Sequence, residues 1–198
     1  MKKRYPYRSE LRGPNVHIGS MNLSNPILRL FFWLNHLRAV RTEAILGATK
    51  TMIRIPGEHG TLIDCLVLTP DRIDPAAPTM VVYHGGGFFG GLSKAVVQKS
   101  CFYADCLKAK VFLPIYRTSY RHKFPTPVED CYGAAEWIAS HAGELQANRE
   151  KLVVYGESAG GCLAAAVALM ARDRKAFPIS FQMLIYPVID IRHECESL

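Results

Sequence analysis

The 198-residue sequence contains no apolar run long enough to cross a bilayer. Its most apolar early stretch, residues 27–34, is interrupted by Arg29, so neither a membrane span nor a signal peptide is expected. Six cysteines stand at positions 65, 101, 106, 131, 162 and 195, but no two form a Cys-x-x-Cys pair. A zinc ribbon, a dithiol redox motif and a disulfide scaffold therefore all lack their spacing, and reduced thiols in a cytoplasmic protein are the expectation. There is no internal repeat and no low-complexity tract. The net charge is +7, with Lys2, Lys3, Arg4, Arg8 and Arg12 opposed early on only by Glu10. No aromatic-interleaved basic patch accompanies these residues, so a solvated basic terminus is expected, with no nucleic-acid partner. Hydrophobic residues make up 49% and charged residues 21%, which excludes a disordered chain and fits one globular domain.

What is present is alternation. Asn25 offers a cap, Pro26 suits a first helical position and Gly47 ends the pattern, so a helix is expected over 25–46. Ile27, Leu30, Phe31, Leu34, Leu37 and Ile45 would give it a broad apolar face that either packs on the domain or covers a binding pocket. Strand-like runs at 51–55 and 61–68 flank a Pro-Gly turn. Strands then alternate with helices: strands at 79–83, 111–116, 151–155 and 181–186, helices at about 94–109, 127–142 and 159–172. This order predicts an α/β fold, a mostly parallel sheet with helices on both faces after an antiparallel start. Residues 1–50 would form an N-terminal cap segment, and 51–198 the core.

Two motifs sit directly after strand-like runs. Gly156-Glu157-Ser158-Ala159-Gly160-Gly161 follows an apolar run and precedes an Ala- and Leu-rich helix, the context in which G-x-S-x-G is a nucleophile elbow. The turn is tight enough that the flanking glycines let strand and helix approach while the serine hydroxyl stays exposed. His84-Gly85-Gly86-Gly87 follows 79–83. Acyl transfer places negative charge on a carbonyl oxygen, and a glycine loop lets backbone amides point at it. Ser158 is the expected nucleophile, and the amides of Gly86, Gly87 and Ala159 the expected oxyanion donors. His84, Gly85, Gly156, Glu157 and Gly160 support them. Cys162, four residues after Ser158, is expected to be a buried structural thiol. A rival dinucleotide reading of Gly85, Gly87, Gly90 and Asp105 fails on context: no helix opens within the glycines, and Asp105 precedes the next strand instead of ending it.

With these blocks, and with Phe124-Pro125-Thr126-Pro127-Val128-Glu129-Asp130 and Tyr186-Pro187-Val188-Ile189-Asp190, the chain resembles the hormone-sensitive-lipase-like esterases of the α/β-hydrolase fold, from about residue 50 onward. The resemblance implies a serine carboxylesterase acting on small-molecule esters, with no metal and no organic cofactor. Two departures stand out. Ile115 occupies the place of an Asp before Tyr116-Arg117, and Tyr120-Arg121 that of a Pro-Glu pair, so that loop and any pocket wall it forms are expected to differ. In addition, the acid and histidine blocks that complete a Ser-Asp-His triad have no counterpart before Leu198. Of seven histidines only His193 follows Ser158, with Asp190 the nearest later acid; these two are the candidates for completing a triad from within the chain.

Three functions remain open at this point: an esterase with Ser158 as nucleophile, a receptor-like ligand-binding protein (the plant gibberellin receptors look like this family yet lack the working histidine), and an inactive truncated member. The reading frame beyond Leu198 would separate them. If 181–186 is the last strand, its free edge is expected to promote self-association.

Overall fold

The structure, a computed structural model, describes residues 25–190. Asn25 accepts a hydrogen bond from the Ile27 amide and Pro26 occupies the first turn of helix α1 (Pro26–Arg41). The helix stops five residues short of its expected end. Lys50 Nζ donates to the carbonyl of Val40 at 2.6 Å and to that of Thr42, taking up groups the helix end leaves unpaired. Leu46 and Gly47 then take positive φ, 59° and 65°, turning the chain into strand β1 (Ala48–Pro56). Gly47 is thus a strand-entry turn residue, not a helix terminator. A side chain there would also meet Asp71 Oδ2 at 2.7 Å.

The remaining elements are β2 (Leu62–Pro70), β3 (Thr79–Tyr83), α2 (Lys94–Leu107), β4 (Val111–Pro114), α3 (Thr126–Ser140), β5 (Leu152–Glu157), α4 (Ala159–Arg174) and β6 (Phe181–Ile185). The six strands form one sheet in the order β1-β2-β4-β3-β5-β6. β1, β2 and β4 pair antiparallel, while β4, β3, β5 and β6 run parallel, the expected mixture. Parallel strands need crossovers, and helices supply them on both faces.

The pleat divides the core. Val81 and Tyr83 of β3 join Phe112, Val154, Leu163 and Val167 beneath α3 and α4. Met80 and Val82 point the other way, to Val97, Cys101, Leu66 and Ala39 beneath α2 and α1. Because all five residues of β3 are buried, the loop leaving its carboxyl end is held on a rigid base. β5, its neighbour in register from Thr79↔Leu152 to Tyr83↔Gly156, delivers the elbow to the same end of the sheet. Among the described residues no helix is long and apolar enough to cross a membrane.

Candidate active site

At the end of β5 the chain reverses into α4 through Ser158, whose backbone sits at φ 54°, ψ −120°. A non-glycine residue there is strained, and surrounding structure must hold it. It is held on both sides: Ser158 N–H donates to the Ile185 carbonyl at 3.0 Å, and Val188 N–H donates to the Ser158 carbonyl at 3.2 Å. The glycines are steric necessities. A Cβ on Gly156 would lie 2.0 Å from the Gly160 carbonyl oxygen, and one on Gly160 would lie 2.0 Å from that of Tyr83.

The second contact joins the two motifs. A Cβ on Gly85 would approach the Glu157 carbonyl oxygen to 2.7 Å and Ser158 Cβ to 3.6 Å, so the His84–Gly87 loop lies directly against the elbow. Gly86 and Gly87 have φ 124° and 61°, and the Gly86 carbonyl accepts from the amides of Phe89 and Gly90. Among the described residues the amides of Gly86 and Gly87 donate to no backbone group. Ala159 is the first residue of α4, where helical amides have no intrahelical acceptor. The structure therefore brings Ser158, Gly85, Gly86, Gly87 and Ala159 to one end of the sheet.

His84 braces this loop. Its Nδ1 lies 2.9 Å from the Gly85 carbonyl, its ring stacks on Tyr116 at 4.2 Å, and the Tyr116 hydroxyl donates to the His84 carbonyl at 2.7 Å. Burial pushes the imidazole down to about 4, against the partly compensating Gly85 carbonyl. Neutral and enclosed, His84 is poorly placed for proton transfer. The Tyr116-Arg117 pair is anchored in turn by Asp130, fully buried on α3, which accepts from Arg117 Nε at 2.9 Å, Arg117 Nη2 at 2.7 Å and the Glu58 amide at 2.9 Å. The 124–130 and 116–117 blocks thus meet as one fork-to-fork ion pair.

Glu157 is a crossing point that sequence reasoning left as mere motif support. Its carboxylate accepts from Lys99 Nζ of α2, from the Tyr155 hydroxyl, and from the Tyr186 hydroxyl at 3.2 Å. Burial pushes this carboxyl up, but Lys99 and the two hydroxyls outweigh it, and its pKa lies below the usual value. The signal available was a lysine one crossover away, which nothing local to Glu157 identifies. Cys162 is only partly buried, a departure from the expected enclosed thiol, and lies one helical turn after the half-buried serine; desolvation still raises its pKa.

Alongside the His84–Gly91 loop lies a cavity of about 690 Å³, lined by α1 residues Leu28, Phe32, Trp33 and His36, by Phe89, and by residues 115–118 and 120–122. Phe32 packs edge-on to Phe89 at 5.3 Å. Of the apolar α1 face expected from spacing, Leu30 lines the cavity while Ile27 and Phe31 stay exposed, and Leu28, Phe32, Trp33 and His36, outside that face, supply the rest of the helix's share of the wall. Ile115 and Tyr120-Arg121, the two departures from the family pattern, both fall on this cavity's wall. No described histidine is hydrogen-bonded to Ser158. His193 lies outside the described residues, and Asp190 is exposed, two residues past the Val188 that holds the elbow.

A family model described as alpha/beta hydrolase fold matches residues 80–198. The chain is 35% identical to Esterase LipI of Mycobacterium tuberculosis over 134 residues, 66% of this chain and 40% of that protein. It is 34% identical to Carboxylesterase NlhH of the same organism over 156 residues, 76% of this chain and 48% of that one. Among solved structures it resembles a bacterial heroin esterase (TM-score 0.80, 32% identity, 88% of this chain and 56% of that chain). It also resembles a hyperthermophilic esterase from Pyrobaculum calidifontis (TM-score 0.75, 36% identity, 88% and 56%). The chain spans about half the length of the relatives it matches.

Proposed function

The chain belongs to the α/β-hydrolase family that contains these carboxylesterases, and from that premise we propose that it carries the nucleophile and oxyanion hole of a serine carboxylesterase. The observation that carries this reading is Ser158 held at positive φ between two sterically required glycines, against a glycine loop with free amides. The hydroxyl oxygen attacks the ester carbonyl carbon, and the carbonyl oxygen takes the charge facing the amides of Ala159, Gly86 and Gly87. Collapse of the tetrahedral intermediate expels the alcohol and leaves an acyl-Ser158, which water then hydrolyses. The serine proton needs an acceptor within hydrogen-bond reach. No described histidine is hydrogen-bonded to Ser158, so the esterase reading calls for a base that the described hydrogen bonds do not supply. The segment before β1 acts as a cap over the cavity, and the core follows it. The substrate is a small-molecule ester, and no step calls for a metal or organic cofactor.

A receptor-like role is the second reading, favoured by one observation: a formed cavity with no described histidine at the serine. Steady-state assays of residues 1–198 with short-chain nitrophenyl esters test the pair. Oxyanion stabilisation and binding alone leave roughly 10³–10⁴-fold over water without help from the serine, so slow turnover that persists in Ser158→Ala is expected on the esterase reading. Turnover no faster than the uncatalysed reaction would remove it in favour of the receptor-like role.

A further inference from the structure

We infer that the cavity beside the His84–Gly91 loop takes a ligand that is apolar along its body and anionic at one end, a carboxylate, with Arg29 and Arg121 meeting the anion. Ser158, Gly86, Gly87 and Ala159 do not line this cavity, so the inference stands apart from the reading of Ser158 as an ester-hydrolysing nucleophile.

The lining charges are of one sign. Arg29, Arg117 and Arg121 line the cavity, and no aspartate or glutamate does. Arg117 is spent: Asp130 holds its guanidinium in two hydrogen bonds, and Glu58 Oε2 lies 3.7 Å away. Arg29 and Arg121 are not. Among the described residues neither guanidinium makes a hydrogen bond or an ion pair, although both stand at the rim of a cavity whose body is lined by Leu28, Phe32, Trp33, Phe89 and Ile115. Burial lowers the pKa of both His36 and His84, which disfavours a charge on either ring.

The geometry also suits a carboxylate. Arg29 lies over the Tyr120 ring at 4.8 Å, which uses one face of its guanidinium and leaves the N–H edges free. Those edges form the fork that matches a carboxylate in two parallel hydrogen bonds. Arg121 is the next residue after Tyr120, in a turn fixed by the Arg121 and His122 amides donating to the Thr118 carbonyl at 3.2 and 3.1 Å. That turn is tied to the oxyanion loop, because the Phe88 carbonyl accepts from both the amide and the hydroxyl of Ser119, at 2.8 and 3.0 Å. The anion-binding rim and the loop facing Ser158 are therefore one connected piece. A volume of about 690 Å³ falls within the roughly 300–1,000 Å³ of small-molecule sites.

Trp33 lines the cavity and provides a readout independent of catalysis. The only other tryptophan, Trp137, is stacked on His141 on α3 and serves as background. The experiment titrates the full chain with 4-phenylbutyrate and with its neutral isostere 4-phenylbutyramide, following tryptophan fluorescence. Exposed ion pairs are individually weak and screened by salt, so a preference of about 3- to 10-fold for the carboxylate is expected at about 20 mM NaCl, shrinking toward unity at about 500 mM. The Arg29→Gln/Arg121→Gln variant should bind both compounds like the amide, with unchanged amide affinity and circular dichroism. Equal binding of the two compounds, binding of neither, or a preference that survives in the variant would overturn the inference. Fluorophosphonate labelling of Ser158 on the same preparation separates the two claims. Labelling without a carboxylate preference sinks this inference alone, and a preference without labelling sinks the esterase reading while the anion site stands.

Discussion

His84 shows how one residue couples shape to pH. Its ordinary value is about 6.5, and burial takes it to about 4 in the folded chain. Between those values the unfolded chain binds the extra proton and the folded chain does not, so stability rises with pH across that window and is lost as pH falls through it. A depression of this size corresponds to about 3 kcal/mol. Urea unfolding at pH 7 and at pH 4 should differ by roughly that amount, and His84→Asn should shrink the difference; a wild-type chain equally stable at both pH values would contradict the assignment. At this scale much was legible from the sequence. Ser158, its glycines and the HGGG loop were identified by spacing after strand-like runs, and His84 was expected to hold the loop. The partners of those residues were not legible. That Tyr116 stacks on His84, or that Asp130 grips Arg117 from an adjacent crossover, depends on tertiary juxtaposition that no local pattern encodes.

Among elements, the elbow is gripped from three directions. Lys99 comes from α2, Tyr155 from β5 and Tyr186 from the segment after β6, and all three converge on the carboxylate of Glu157. This network ties α2, β5 and the segment after β6 to the residue preceding the nucleophile. Glu157→Gln keeps the shape but weakens the charge-assisted bonds, and we expect a loss of about 1–2 kcal/mol in stability with slower modification of Ser158. Thermal unfolding together with fluorophosphonate labelling rates measures both, and a variant indistinguishable from wild type in the two would dismiss the network's role. Element boundaries followed the pattern closely for β3, β5, α4 and β6. α1 was expected to run to residue 46 and ends at Arg41, because pairing of Ala48 with Pro70 and Lys50 with Leu68 claims the chain for the sheet. A helical apolar period cannot report that competition.

For the whole molecule, the sheet ends at β6, whose only strand neighbour among the described residues is β5. Phe181 is 61% exposed and Leu169 on the adjoining helix 52%. A parallel sheet ordinarily has both faces covered and its edges paired or blunted, so this side is a template for another chain. We propose that residues 1–198 self-associate through β6. Size-exclusion chromatography with light scattering should find dimers or larger species at micromolar concentration, reduced by Phe181→Lys; a clean monomer with a cooperative melt would dismiss the proposal. The α/β class and the antiparallel start of the sheet were readable from alternation alone. The strand order was not, since the placement of β4 between β2 and β3 is set by crossover geometry.

On the proposed mechanism, Ser158 is the acyl-accepting nucleophile of this fold. Peptide mapping by mass spectrometry, after prolonged incubation of the full chain with a fluorophosphonate, tests that role. A slow adduct confined to Ser158 and absent from Ser158→Ala is expected. An adduct on another serine, labelling that survives the substitution, or no adduct at all would contradict it.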